Sequence, residues 1–192
     1  MKKFKISEIL IPTLVLFVIC AVITALLAGT NQVTYQRIQQ LTQEAEDEAR
    51  RKVLPDAESF IEAGNTEPYF VGLAKDKAAV GYVFITETNG YGGKIRVMTG
   101  IKAGDGTEEA QVTGIQILEQ TETPGLGANA QNEAFTNQFK QPITAETGFA
   151  LYGDQMGIDA MTGATITSRA VMDAVNQSIS GFYRIQEEAT EK

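Results

Sequence analysis

The chain has no histidine and no tryptophan, and its one cysteine, Cys20, lies inside an apolar run. Each absence removes a class of chemistry. A single thiol forms no internal disulfide, holds no iron–sulfur cluster alone and supplies no Cys-x-x-Cys-His haem attachment. Without an imidazole there is no Ser–His–Asp type triad. Any redox role must therefore use an organic cofactor. Cys20 itself reads as a small lipid-facing or helix-packing residue, with palmitoylation a lesser alternative.

Positive charge is also scarce, 16 bases against 24 acids, for a net charge of −8. It is unevenly placed: Lys2, Lys3 and Lys5 precede the apolar run with only Glu8 against them, so the remainder is more acidic still. Such a domain repels nucleic acid and anionic lipid surfaces, which excludes a nucleic-acid partner; simple solubility explains the acidity equally well. At 192 residues, one membrane segment and one compact domain of about 150 residues is the simplest partition.

Residues 9–28 contain no charge, enough to cross a ~30 Å hydrocarbon layer as a helix, with Pro12 near the start where proline is tolerated. The lysines in front place residues 1–8 in the cytoplasm and the rest of the chain outside, by the positive-inside rule. A cleaved signal peptide competes, because Ala28-Gly29-Thr30 offers a small-residue cleavage site, but the run exceeds the ~7–15 apolar residues of a signal core, which favours a retained anchor. Residues 29–55 read as a polar connecting helix. Ile38, Leu41, Ala45, Ala49 and Val53 trace its narrow apolar stripe, and acids (Glu44, Glu46, Asp47, Glu48) precede bases (Arg50, Arg51, Lys52) on a solvated face. Pro55 ends it and Pro68 marks another break.

Residues 79–86 and 94–101 form a hairpin across Asn89-Gly-Tyr-Gly-Gly93, where Gly92 and Gly93 serve a turn, a ligand loop or both. Residues 112–119 make another strand. Gly125-x-Gly127-x-x-Ala130 imitates a dinucleotide fingerprint but is rejected, because the polar residues 119–124 separate it from the strand. Residues 132–139 read as a short helix in which Phe135 and Phe139 are core, and 148–152 as a short strand. Val171, Ala174, Val175, Ser178, Ile179 and Phe182 then define one face of an amphipathic helix. In front of it, Thr165, Thr167 and Ser168 are candidate caps beside Gly163 and Ala164. Chemistry alone leaves two readings open, an ordinary capped helix or a helix start that receives a phosphate. Residues 186–192 form a charged tail.

The segment Asp159-Ala-Met-Thr162-Gly163-Ala164-Thr165 resembles the flavinylation motif Asp-x-x-Ser/Thr-Gly-Ala-Thr of the FMN-binding domain shared by the Rnf and Na+-translocating NADH:quinone reductase families. Upstream, Glu122-Thr123-Pro124-Gly125-Leu126-Gly127 is similar to that domain's Glu-Thr-Pro-Gly-Leu-Gly signature, and Gly90-Tyr91-Gly92-Gly93 resembles its Gly-Tyr-x-Gly element. Length and single anchor look most like the RnfG component of an Rnf complex, with the C-type component of the quinone reductase second. The resemblance implies an α+β fold: one N-terminal transmembrane helix, then an extracytoplasmic FMN-binding domain over residues 56–185 with a mainly antiparallel sheet flanked by helices. It also implies FMN joined to Thr165 by a phosphoester, with Thr162 in the motif's Ser/Thr position. Glu122 to Gly127, Gly92, Gly93, Gly163 and Ala164 would lie around the flavin.

The activity implied is electron transfer within a membrane complex coupling ferredoxin and NAD to ion transport, with no independent substrate chemistry. Other membrane subunits would be partners and a flavin transferase would mature the chain. N–H groups around Gly125 to Gly127 are candidates to face the ring, and Lys94 and Arg96 are candidate cationic neighbours, although lone strand cations are usually just solvated. Asp159 either orients its turn or is recognised by the transferase. A stand-alone extracytoplasmic flavoprotein and a non-redox membrane-anchored binding or assembly module are the competing roles.

Overall fold

The computed structural model describes residues 6–64, 68–104, 109–146, 148–152 and 156–190. They fall into two units, Met1–Ala45 and Glu46–Lys192. The first unit is helical. Its helix α1, Ile6–Val53, runs on into the second unit without interruption, so the apolar stretch and the polar stretch behind it are not separate helices. The Gly29-Thr30 step that looked like a boundary does not break it: the Thr30 hydroxyl donates to the Leu26 carbonyl at 2.9 Å, closing on its own turn. Large apolar side chains from Leu10 to Leu27 stay exposed, Phe17 at 68 %, so this stretch buries nothing in protein. It is long and apolar enough to cross a membrane.

The second unit is built on a six-stranded antiparallel sheet: β1 (Ser59–Ala63), β2 (Tyr69–Leu73), β3 (Ala79–Asn89), β4 (Lys94–Lys102), β5 (Ala110–Glu119) and β6 (Pro142–Ile143), each paired with the next. Alternation decides which face each residue serves. In β4, Ile95, Val97 and Ile101 point to one core, and Met98 between them points to the other. The smaller core receives the end of α1 through Ala49, Val53 and Leu54, and Gly100 admits it: a Cβ there would stand 2.2 Å from the Val53 carbonyl oxygen. The hydroxyl of Thr113 donates to that same oxygen, satisfying a carbonyl that the helix end leaves free.

Against the opposite face lies α3 (Thr165–Thr190), whose Val171, Ala174, Val175, Ile179 and Phe182 are buried at the helical spacing expected. Between β5 and β6 the chain makes a 3-10 turn (Gly127–Gln131), a four-residue helix α2 (Glu133–Thr136) and a second 3-10 turn (Asn137–Phe139), and between β6 and α3 a parallel pair, β7 (Ala150–Leu151) with β8 (Gly157–Ile158). Phe139 stacks edge-on against Phe135 and Phe149, with centroids 5.5 and 5.1 Å away, so both phenylalanines of α2 and its following turn are core as expected. The Asn176 side chain grips the Phe149 backbone, donating to its carbonyl at 2.9 Å and accepting from its N–H at 2.8 Å. The architecture is α+β with a mainly antiparallel sheet flanked by helices. Strands β1, β2, β6 and β8 were not among the elements expected from sequence.

Candidate cofactor site

Three loops that are far apart in sequence converge where α3 begins. The first is the β3–β4 turn, closed by the Gly90 N–H donating to the Gly93 carbonyl at 2.8 Å. It lies directly on residues 121 and 122: a Cβ at Gly92 would stand 2.4 Å from the Thr121 carbonyl oxygen, and one at Gly93 would stand 2.5 Å from the Thr121 hydroxyl oxygen. These glycines therefore serve close backbone approach.

The second loop is residues 122–127. The Leu126 N–H donates to the Thr123 carbonyl at 3.1 Å, Pro124 occupies the second turn position and Gly125 the third, with φ of +78°. That is the arrangement of a type II turn, which requires a left-handed third residue and accepts proline before it. The Leu126 N–H expected to be available to a ring is thus spent inside the turn.

The third loop repeats the device. The Ala164 N–H donates to the Met161 carbonyl at 3.0 Å around Thr162 and Gly163, whose φ is +73°. A Cβ on Gly163 would stand 3.2 Å from the Leu126 side chain, so the two glycine turns touch.

Two of the three candidate cap hydroxyls are used up. Ser168 is buried, accepting from the Met161 N–H at 3.0 Å and donating to the Ala164 carbonyl at 3.0 Å. The Thr167 hydroxyl donates to Glu122 Oε2 at 2.7 Å, while Glu122 Oε1 accepts from the Gly92 N–H at 2.9 Å. Glu122 is 6 % exposed. Its carboxylate joins the first two loops to the first turn of α3. Thr162 and Thr165 are exposed, and neither hydroxyl is bonded to another described residue. Thr165 and Thr167, two residues apart on a helix, face roughly opposite ways at ~100° per residue, so burying one presents the other.

A cleft of about 580 Å³ opens here, lined by Tyr91, Glu122, Thr123, Leu126, Gly127 and residues 163–167. Its size lies in the ~300–1,000 Å³ range of cofactor and small-molecule sites. Tyr91, Leu126 and Ile166 are 74, 45 and 56 % exposed and give it apolar edges suited to a flat aromatic ring. The first turn of α3, whose leading N–H groups have no intrahelical acceptor as at any helix start, contains no acidic residue, which suits a phosphate.

Of the expected site residues, the cleft is lined by Glu122, Thr123, Leu126, Gly127, Gly163, Ala164 and Thr165. Pro124, Gly125 and Thr162 shape its turns without lining it, and Gly92 and Gly93 are turned onto residues 121 and 122. Tyr91, Ile166 and Thr167 also line it; Thr167 was expected only as a cap and Tyr91 only within the glycine-rich element, while Ile166 was not expected at all. A single exposed aromatic between two glycines was the available signal for Tyr91.

Lys94 and Arg96 are not lone cations. Lys94 pairs with Glu87, and Arg96 bonds Glu119 at 2.6 Å and Glu46 at 3.3 Å; neither lines the cleft. The Arg96 guanidinium, partly desolvated, is held above its ordinary pKa by those two carboxylates. At Asp159 the backbone is clasped by the Gln138 amide, whose oxygen accepts from the Asp159 N–H at 2.8 Å. The Asp159 carboxylate is exposed and forms no Asx turn with the described residues.

Fold and site together define an α+β cofactor-binding domain carried behind a membrane-length helix. Residues 90–180 match the FMN-binding domain, and residues 1–53 match the RnfG N-terminal region. The chain is 37 % identical, over 90 % of its own length and 90 % of the relative's, to the G-type component of the Na+-translocating ferredoxin:NAD+ oxidoreductase complex of Acetobacterium woodii. It is 34 % identical to the G-type component of the ion-translocating oxidoreductase complex of Methanosarcina acetivorans, over 84 % of this chain and 88 % of that one. Among solved structures, the C-type component of the Na+-translocating NADH-quinone reductase from Parabacteroides distasonis shares the fold, with a TM-score of 0.56 at 20 % identity over 77 % of this chain and 94 % of that one. The chain belongs to the RnfG family of ion-translocating oxidoreductase subunits, and its second unit contains an FMN-binding domain.

Proposed function

We propose that this chain is an electron-transfer subunit of an Rnf-type ion-translocating oxidoreductase coupling ferredoxin and NAD, with FMN joined to Thr165 through a phosphoester. The observation carrying this is the exposed Thr165 hydroxyl at the start of α3, in a cleft shared with the 122–127 turn. Bound FMN supplies one- and two-electron redox chemistry that the side chains here lack. Thr165 supplies the oxygen. The first turn of α3 supplies N–H donors for the remaining phosphate charge, and Tyr91, Leu126 and Ile166 shelter the ring.

Attachment requires a flavin transferase. In that reaction Thr165 would offer its hydroxyl oxygen as the acceptor, and the first turn of α3 would face the phosphate. In this reading residues 1–8 are cytoplasmic and 9–28 span the cytoplasmic membrane. Residues 29–55 connect to an extracytoplasmic FMN domain over 56–185, and the other membrane subunits of the complex are its partners. A covalent tether suits that compartment because it prevents loss of the cofactor.

Co-expression with a flavin transferase, followed by a denaturing gel viewed under ultraviolet light, tests the assignment. The wild-type band is expected to fluoresce, Thr165→Ala to be dark and Thr162→Ala to keep its fluorescence. A dark wild-type band, or a bright Thr165→Ala band, refutes it. Labelling of single cysteines placed before and after residues 9–28 in intact cells tests the orientation.

A further inference from the structure

We propose that Glu122 is a positioning residue, a latch that fixes the two walls of the cleft relative to each other. The inference rests on FMN attachment at Thr165 and deepens it. One wall is the 90–93 turn that carries Tyr91; the other is the first turn of α3 that carries Thr165. Glu122 holds both, accepting from the Gly92 N–H at 2.9 Å and the Thr167 hydroxyl at 2.7 Å. Gly90 and Gly127 are cut away around it. A Cβ at Gly90 would stand 2.2 Å from Oε1, and one at Gly127 would stand 2.4 Å from Oε2.

Packing alone does not call for a carboxylate here, because desolvating one is unfavourable and an apolar side chain fills space equally well. What a carboxylate adds is direction: it accepts only, so both donors must turn toward it. Fastening Thr167 sets the rotation of the first turn of α3, and hence where Thr165 points on the opposite side. Fastening Gly92 sets its neighbour Tyr91. A single side chain therefore orients the attachment oxygen and the aromatic edge, and its loss leaves the flavin attached but loosely held.

The test uses the full-length chain in detergent, with and without transferase and FAD. Glu122→Ala is expected to remain fluorescent on a denaturing gel, while iodide quenches its attached flavin several-fold more readily and the anisotropy falls. Glu122→Gln is expected to stay near wild type, since its carbonyl still accepts from Gly92 and its amide donates to a Thr167 hydroxyl turned to accept. In the flavin-free chain the Gly92 amide hydrogen should exchange about ten- to a hundredfold faster in Glu122→Ala, as expected for losing a bond to a charged acceptor. Thr167→Val removes one arm and is expected to give part of the same loss, which serves if Glu122→Ala does not fold.

Unchanged quenching and exchange in the truncated variants would overturn the latch. Altered quenching without faster Gly92 exchange would overturn it in favour of direct flavin contact, and a Gln variant as loose as the Ala variant would assign the effect to charge. The exchange arm contains no flavin, so it reads the latch separately from attachment. A dark wild-type band overturns attachment at Thr165, and this role with it, whatever the amide does.

Discussion

Gly125 and Gly127 stand two residues apart in the same motif, and substituting alanine at each should destabilise the protein for different reasons. At Gly127 the added Cβ would meet Glu122 Oε2 at 2.4 Å, Thr167 Oγ1 at 2.7 Å and Glu122 Cβ at 2.9 Å, closer than non-bonded atoms approach. Overpacking of this kind costs about 1–3 kcal/mol. Displacing the carboxylate also breaks the buried Thr167–Glu122 bond, worth about 1.5–3 kcal/mol when the acceptor is charged. Stiffening the unfolded chain returns about 0.4–1 kcal/mol. The net destabilisation is roughly 2–5 kcal/mol, which lowers Tm by roughly 5–15 °C for a unit of this size.

Gly125 has nothing within 4 Å of its Cβ direction but sits at φ +78°, so alanine there meets only the left-handed backbone penalty of about 1–2 kcal/mol. Asparagine, which tolerates that conformation, should be milder. Thermal melts of the three variants, followed by circular dichroism, give the comparison. A Gly127→Ala protein within about 1 kcal/mol of wild type, or one more stable than Gly125→Ala, would refute the assigned crowding around Glu122.

Gly100→Ala should be more destabilising than Gly114→Ala in urea unfolding, although the two face each other across β4 and β5. At Gly100 the new atom stands 2.2 Å from the Val53 carbonyl oxygen and lifts the end of α1, whereas at Gly114 nothing is nearer than 3.4 Å. Alkaline pH should also weaken the fold. Burial, with Tyr69 nearby as a lesser cause, raises the Tyr82 hydroxyl above its ordinary 10.0. Burial and then Glu109 likewise raise Tyr183. The unfolded chain releases those protons first, so the stability they contribute is complete below pH 10 and is lost as pH rises through the folded values. Urea midpoints taken up to pH ~11 should show this decline, and Tyr82→Phe should make it shallower.

The elements legible from sequence were those whose pattern is local. β3, β4 and β5 are long, β-branched runs, and α3 buries one stripe, so periodicity suffices. β1 and β2 are five-residue strands, and β1 carries Ser59 and Glu62 among its apolar residues. They are strands because β3 offers β2 an edge and β2 then offers one to β1, a tertiary cause that no short window contains. The Gly29-Thr30 step looked like a boundary, but helical hydrogen bonds form within the segment and tolerate one glycine. The stripe from Ile38 to Val53 was real in spacing yet buried only at Ala49 and Val53, which pack into the smaller core of the second unit.

At the site, resemblance found the two glycine turns, and their physical reason, a left-handed third residue, can be read from Pro124-Gly125 and Thr162-Gly163. What no local pattern could show is that Glu122 meets Gly92 thirty positions away and Thr167 forty-five positions away. Lys94 and Arg96 looked free for the same reason, since their carboxylate partners are supplied by other elements.

The order of the sheet has a consequence for how the protein matures. From β1 to β5 each strand pairs with its immediate successor, so most of the sheet is built from local hairpins without a crossover, and β6 joins after the longer connection through residues 120–141. The cleft cannot form in that stage, because one wall is the start of the last helix. A chain growing from its N-terminus completes the cleft only when α3 docks on the sheet, so the attachment proposed at Thr165 would have to follow the folding of this unit.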